Sequence, residues 1–388
     1  MPFSRMQIMR KTVFVHGIFG WGESDSLWKI MPYWGLAGGD LMAYLRSEGY
    51  DTAAASVGPI SSAWDRACEL YAQLTGTRTD YGAAHAARYC HARFGRTYEK
   101  PLAPDWSEEN PIDLVGHSFG GTTIRLLADL LFAGSKEEQE ASCEDISPLF
   151  TGKKGALVKT VCCISSPHRG STLYEAWPGF ARSLEWFGLT ASRMLGISNL
   201  RGIYDFKLDQ FRFSKGKDER LSDSIRRIST LEPTEGDWAA DDLSVDSALS
   251  EEHRIRMVPG IRYLSVPGEC TKKKRNSEEQ KPLSKMTPEL RPTSVSMGRC
   301  IHKKTAGGYI LDVSWAENDG FVNTVSARYP MGDPFQKIRI GDEILPDIWN
   351  VLPDQQMDHF QAQGAANPFE KKKNRRLYLE LMQMISRE

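Results

Sequence analysis

Short apolar runs alternate with amphipathic stretches along most of this chain, and the two periods separate strands from helices. Thr12–Val15, Ile112–Val115, Val158–Ser165 and Ile261–Val266 are short, largely apolar runs of strand length. Leu41–Glu48, Trp64–Leu74, Thr122–Phe132 and Leu377–Ile385 carry apolar residues at helical spacing. Strands interleaved with helices predict an α/β fold, a mostly parallel central sheet flanked by helices. No internal repeat is visible, and residues 1–388 read as one domain.

Two segments exceed what a bare sheet-and-helix scheme needs. Residues 21–96, rich in Trp, Tyr, Gly and His, are far longer than an ordinary connection and read as an insertion. Residues 173–250 read as a helical cap. Within it Phe180, Leu184, Phe187, Ala191 and Leu195 fall on one helical stripe, with Trp177 and Trp186 nearby. Such a stripe packs on a core or serves as a mobile lid that opens onto lipid.

Composition narrows the class. The chain is 40 % hydrophobic, enough for a sizeable core, and its net charge of −1 gives no general attraction to nucleic acid. The basic runs Lys272–Arg275 and Lys371–Arg376 have acidic neighbours and read as solvated faces. No apolar run reaches membrane-spanning length. Met1–Lys11 lacks a secretory pattern, so the expectation is either synthesis without a leader or a leader already removed. The seven cysteines show no metal-binding spacing. Cys68, Cys162 and Cys163 fall in buried elements, whereas Cys270 and Cys300 flank a Lys-rich stretch and are candidates for a bridge.

Candidate chemistry begins at Gly116-His117-Ser118-Phe119-Gly120, between an apolar strand and a helical segment. Two glycines around a serine at a strand-to-helix turn permit the strained bend that exposes a nucleophilic hydroxyl. A serine needs a base, and the base needs an acid to orient it. The chain order that accompanies this turn, serine then acid then histidine, leaves His168, His253, His302 and His359. His168 leaves little chain for an intervening acid, while His253 and His302 lie in charged stretches. His359, in a loop before the final helix, is the expected base. Asp319, in the Asn-Asp-Gly turn after Tyr309–Val313, is the expected acid and is preferred to Asp358, which adjoins the histidine. The expected oxyanion donors are the backbone N–H groups of Phe119, after the nucleophile, and of Ile18, in the glycine-rich loop following the first strand.

A wider set of motifs carries a resemblance. It includes His16-Gly17 with Gly20-Trp21-Gly22, Tyr33-Trp34-Gly35, Val57-Gly58-Pro59-Ile60-Ser61-Ser62 and Trp64-Asp65-Arg66-Ala67-Cys68-Glu69. It continues through Asp80–Ala87, His91–Arg96, Tyr204–Gln210 and Glu317-Asn318-Asp319-Gly320. With these the chain resembles the thermoalkalophilic bacterial lipases of family I.5 and the staphylococcal lipases, over about residues 12–369. The resemblance implies an α/β-hydrolase fold and a triad at Ser118, Asp319 and His359.

It also implies a structural Zn²⁺ held by Asp65, His85, His91 and Asp242, which the spacing of these residues alone does not suggest. Two imidazoles and two carboxylates suit a closed four-coordinate zinc site, which would brace segment 21–96 against the region near Asp242. The same family is expected to bind Ca²⁺ through a Glu two residues after the histidine and an Asp a few residues later. Here the chain reads His359-Phe360-Gln361-Ala362-Gln363-Gly364-Ala365-Ala366-Asn367-Pro368, so the calcium site is expected to be lost. The region 269–309 and the lid also depart from the family.

The expected activity is that of a serine carboxylester hydrolase, a triacylglycerol lipase working through an acyl-enzyme on a lipid or other ester, at an oil–water interface or in solution. The alternatives are a phospholipase or acyltransferase on the same triad, and a non-catalytic lipid-binding descendant.

Overall fold

In the computed structural model residues 10–141, 145–177, 204–211, 223, 236–365 and 368–387 are described. Seven parallel strands form the central sheet: β1 (Thr12–Val15), β2 (Thr52–Ala55), β3 (Ile112–His117), β4 (Val158–Ile164), β5 (Arg262–Val266), β6 (Phe335–Lys337) and β7 (Trp349–Val351). Their order across the sheet is β6-β7-β5-β4-β3-β1-β2. Every pairing is parallel. The fold is that of an α/β-hydrolase.

The helices that matter to the site are α1 (Leu41–Ser47), α2 (Ala63–Thr75), α3 (Ala83–Arg88), α4 (Phe119–Ala133), α5 (Leu173–Ala176), α6 (Ala239–Leu243), α7 (His359–Ala362) and α8 (Lys371–Ile385). Alternation along β1 sends Val13 and Val15 to one face and Phe14 to the other, as strand pleating requires. Val13 and Val15 pack with Leu70 and Leu74 of α2 and with Leu127 and Leu131 of α4. Phe14 packs with Met42 and Leu45 of α1 and with Leu381, Met382 and Ile385 of α8. The core is therefore two apolar layers, one on each side of the sheet. No helix among the described residues is long and apolar enough to cross a membrane.

Two expectations change. Segment 21–96 is not wholly an insertion, because it supplies β2 and the covering helices α1 and α2. Strand β2 reads Thr-Ala-Ala-Ala, and alanine gives little strand signal although all four residues are buried. Cys270 and Cys300 are free thiols buried in separate apolar clusters, not a bridge. The proposed lid stripe, Phe180 to Leu195, lies outside the described residues.

Candidate active site

The functional side chains gather at the carboxyl ends of the strands, where open α/β sheets place their ligands. Ser118 stands between β3 and α4 with φ 56° and ψ −130°, a backbone conformation strained for a residue with a side chain. The flanking glycines allow it by close packing. A Cβ on Gly120 would lie 2.1 Å from Val15 O, and one on Gly116 would lie 2.5 Å from the Gly120 backbone. The Ser118 N–H donates to Ile164 O at 2.9 Å, which anchors the turn on β4.

His359 begins α7 and points its Nε2 at Ser118 Oγ, 2.8 Å away. Its Nδ1 lies 2.9 Å from Asp319 Oδ2. A proton on Nδ1, donated to the carboxylate, leaves the Nε2 lone pair to accept the serine O–H. The other Asp319 oxygen, Oδ1, accepts from Phe321 N at 3.0 Å and Val322 N at 2.8 Å. These amides fix the carboxylate's orientation. Ser118, Asp319 and His359 are all buried, so their mutual hydrogen bonds act with little screening by water.

The rejected alternatives have other partners. Asp358 caps α7, accepting from Gln361 N at 2.9 Å, and also from Thr287 N and Oγ1. His168 is buried with its Nδ1 3.2 Å from Arg125 Nη1, and burial together with the Arg125 charge pushes its pKa well down. His253 lies among Ser247 and Ser250, and His302 is 2.6 Å from Glu278.

Phe119 follows the serine in the chain, and Gly17, the residue before Ile18, lies against it: a Cβ there would be 2.8 Å from Ser118 Cβ. The neighbouring Phe19 N–H donates to Pro59 O at 2.9 Å, and among the described hydrogen bonds the Ile18 N–H has no acceptor. Phe119 is the first residue of α4, where backbone N–H groups lack intrahelical acceptors. Two residues that the sequence did not single out brace this region. The Tyr33 hydroxyl accepts from Gly17 N at 2.9 Å and donates to His117 Nδ1 at 2.7 Å, linking the Ile18 loop to the residue before the nucleophile. The second is Arg66.

A second cluster lies at the N-terminus of α2. Asp65, His85, His91 and Asp237 present one ligand atom each, all within 4.8 Å of one another. His85 Nε2 is 3.2 Å from both Asp65 Oδ1 and Asp237 Oδ1, and His91 Nε2 is 3.3 Å from Asp237 Oδ2. A tetrahedral ion with bonds of about 2.0–2.2 Å sets its ligands roughly 3.3–3.6 Å apart, close to these separations. The atoms facing inward are buried and make no well-directed hydrogen bond. Outer contacts point them there: His91 Nδ1 donates to Ala92 O at 2.9 Å, and Gln210 Nε2 donates to Asp65 Oδ2 at 2.7 Å. Trp64 stacks on the His85 ring at 5.2 Å. Four such side chains fit a structural metal ion.

The fourth side chain of the cluster is Asp237, which corrects the expectation of Asp242. Asp242 Oδ2 instead accepts from Ala63 N at 2.7 Å, holding the first turn of α2, and burial pushes its carboxyl up to about 7. Asp237 lies two residues before α6 and Asp242 inside it, and only their placement distinguishes them. Asp237 precedes the helix beside Ser61 and Trp238, whose antiparallel bridge brings it to the cluster.

The lipase-like, C-terminal domain family matches residues 9–385. Lipase 2 of Staphylococcus aureus is 34 % identical over 348 residues, covering 88 % of this chain and 48 % of that protein. Lipase 1 of the same species is 32 % identical over 358 residues, 91 % of this chain and 50 % of that one. The chain thus spans about half the length of these relatives. Among solved structures, the Staphylococcus hyicus lipase superposes with a TM-score of 0.83 at 29 % identity, over 97 % of this chain and 96 % of that one. EstA from Clostridium botulinum gives 0.81 at 34 % identity, over 99 % and 89 %.

Proposed function

Because the chain belongs to the lipase-like, C-terminal domain family, we propose that it is a serine carboxylester hydrolase, acting on lipid esters as a triacylglycerol lipase. The observation that carries this reading is the continuous hydrogen-bonded run from Asp319 through His359 to Ser118, ending at a strained serine.

Ser118 Oγ would attack the ester carbonyl carbon as its proton passes to His359 Nε2. The carbonyl π electrons move to oxygen, and that oxyanion would be held by the N–H groups of Ile18 and Phe119. Asp319 would stabilise the imidazolium without taking its proton. As the carbonyl re-forms, the ester C–O bond breaks and His359 returns the proton to the departing alcohol. Water then attacks the acyl-serine with His359 again as base, and the acid leaves as Ser118 recovers its proton.

The metal belongs to the scaffold in this reading. Asp65, His85, His91 and Asp237 would hold Zn²⁺, whose N/O ligand set it suits, and which would tie α2 and α3 to the segment before α6.

Labelling by a fluorophosphonate tests the assignment together with hydrolysis of p-nitrophenyl esters and emulsified triacylglycerol. Wild-type protein should label at Ser118 and turn over, and Ser118→Ala should do neither while keeping its fold. Substantial turnover by the variant overturns the reading. Product analysis with an added alcohol or lysolipid would reveal an acyltransferase instead.

A further inference from the structure

We propose that Arg66 is a positioning residue for the oxyanion hole, one buried cation that holds the Ile18 loop and the Phe119 end of α4 in register. This rests on the serine-hydrolase reading of Ser118.

Arg66 lies in the first turn of α2, next to Asp65 of the metal cluster, and its side chain is fully buried. Its guanidinium reaches three separate pieces of chain. Nη2 donates to His16 O, the carbonyl of the peptide leading into Gly17 and Ile18. Nη1 donates to Gly58 O at 2.8 Å, in the loop whose Pro59 O receives the Phe19 N–H. Nε donates to Thr123 Oγ1 at 2.9 Å, and Thr123 Oγ1 in turn donates to Phe119 O at 3.1 Å. The guanidinium also lies 5.1 Å over the Phe119 ring. Both oxyanion donors are therefore fastened to the same rigid planar group.

Fastening matters because the donor must hold its place before the substrate oxygen arrives. Gly17 and Gly20 bracket Ile18, and Phe19 sits at φ 55°. An oxyanion donor works only when fixed 2.7–3.1 Å from a position the substrate oxygen has yet to occupy. A glycine-bracketed loop does not fix itself. Nor is packing a sufficient reason for this side chain. Among the described ion pairs Arg66 has no carboxylate in contact, and it donates to two carbonyls and a hydroxyl. Glu69 and Asp242 offset part of the cost of burying this charge through space, but every hydrogen bond the guanidinium makes goes to a neutral acceptor, so its geometry rather than its bulk accounts for its place. Burial pushes its pKa down to about 10, which leaves it charged at neutral pH.

The test compares wild type, Arg66→Met, Arg66→Lys and Thr123→Val for kcat and KM on p-nitrophenyl butyrate. It adds affinity for a trifluoromethyl ketone, which forms a tetrahedral oxyanion adduct with serine. Melting temperature and metal content report the fold. We expect Arg66→Met to lose about 10²-fold in kcat, with KM within roughly 2-fold and ketone affinity falling in parallel with kcat/KM. Arg66→Lys, which cannot span three acceptors, should lose nearly as much. Thr123→Val should lose about 10-fold, since it cuts only the tie to α4.

Folded variants with wild-type kcat and ketone affinity, or with a loss confined to KM, overturn the proposal. Should the Arg66 variants fail to fold, Thr123→Val decides, and an unchanged ketone affinity there overturns it as well. A wild-type protein that neither labels nor hydrolyses esters would instead sink the hydrolase reading. An active wild type with unaffected variants sinks only the role of Arg66.

Discussion

His359 meets Asp319 twice: its ring Nδ1 lies 2.9 Å from Asp319 Oδ2, and its backbone N–H donates to Asp319 O at 3.0 Å. The second bond does not depend on the carboxylate. Asp319→Asn should therefore keep the two loops together while losing the group that fixes the imidazole tautomer. We expect kcat on p-nitrophenyl esters to fall about 10³–10⁴-fold, with a melting temperature within a few degrees of wild type. A variant retaining a tenth of wild-type kcat would remove Asp319 from the mechanism.

The choice between Asp237 and Asp242 as metal ligand is decided by counting ions. Asp237→Asn should lower bound zinc well below one ion per chain, because an uncharged amide is a poor ligand for Zn²⁺. Asp242→Asn should keep the ion but lose about 1 kcal/mol, since it weakens a carboxylate cap on the first turn of α2. Stripping the metal with phenanthroline should lower the melting temperature by roughly 10 °C, and added Zn²⁺ should restore it. The reverse pattern of zinc contents in the two variants would return the role to Asp242.

The strands Thr12–Val15, Ile112–His117 and Val158–Ile164 were legible because strands covered on both faces read as short, largely apolar runs. The grouping of Ser118, His359 and Asp319 was legible because strand, turn and chain order constrain them jointly. Thr52–Ala55 escaped because alanine signals neither strand nor helix there, and Phe335–Lys337 and Trp349–Val351 because three residues carry no periodicity. The metal cluster draws on residues separated by up to 172 positions, from Asp65 to Asp237. Only tertiary folding says which of two acids five residues apart faces it. Arg66 looked like an ordinary helix residue because its three acceptors come from two separate loops and from helix α4.

Beside His359 the chain has a hydrogen-bonded brace in the place where a calcium ion was expected in the family. Gln361 Oε1 accepts from Asp358 N at 2.9 Å, and Gln361 Nε2 donates to Glu370 Oε1 at 2.9 Å. The amide thus acts as acceptor on one side and donor on the other, which a carboxylate cannot do. EGTA should leave activity and melting temperature unchanged. Gln361→Ala should cost about 1–2 kcal/mol in stability by opening the α7 cap. Gln361→Glu should be destabilised in EGTA by setting a second carboxylate against Glu370. Loss of wild-type activity in EGTA, reversed by Ca²⁺, would refute this account.

Glu175, in α5, supplies a pH dependence of stability. Burial pushes its carboxyl up to about 7, and its Oε2 is buried without a hydrogen-bond partner. A carboxyl whose folded value is raised prefers the protonated form in the native state. Its contribution is therefore complete below the unfolded value near 4.5 and fades as pH rises through about 7. Glu175→Gln mimics the protonated form at every pH. Its melting temperature should match wild type at pH 5 and exceed it by roughly 2–4 °C at pH 8.5, a fraction of full linkage because the residue is only part-buried. Thermal melts across that range check it. A variant that runs parallel to wild type, without the gap widening toward alkaline pH, would show that Glu175 is ionised in the folded protein throughout.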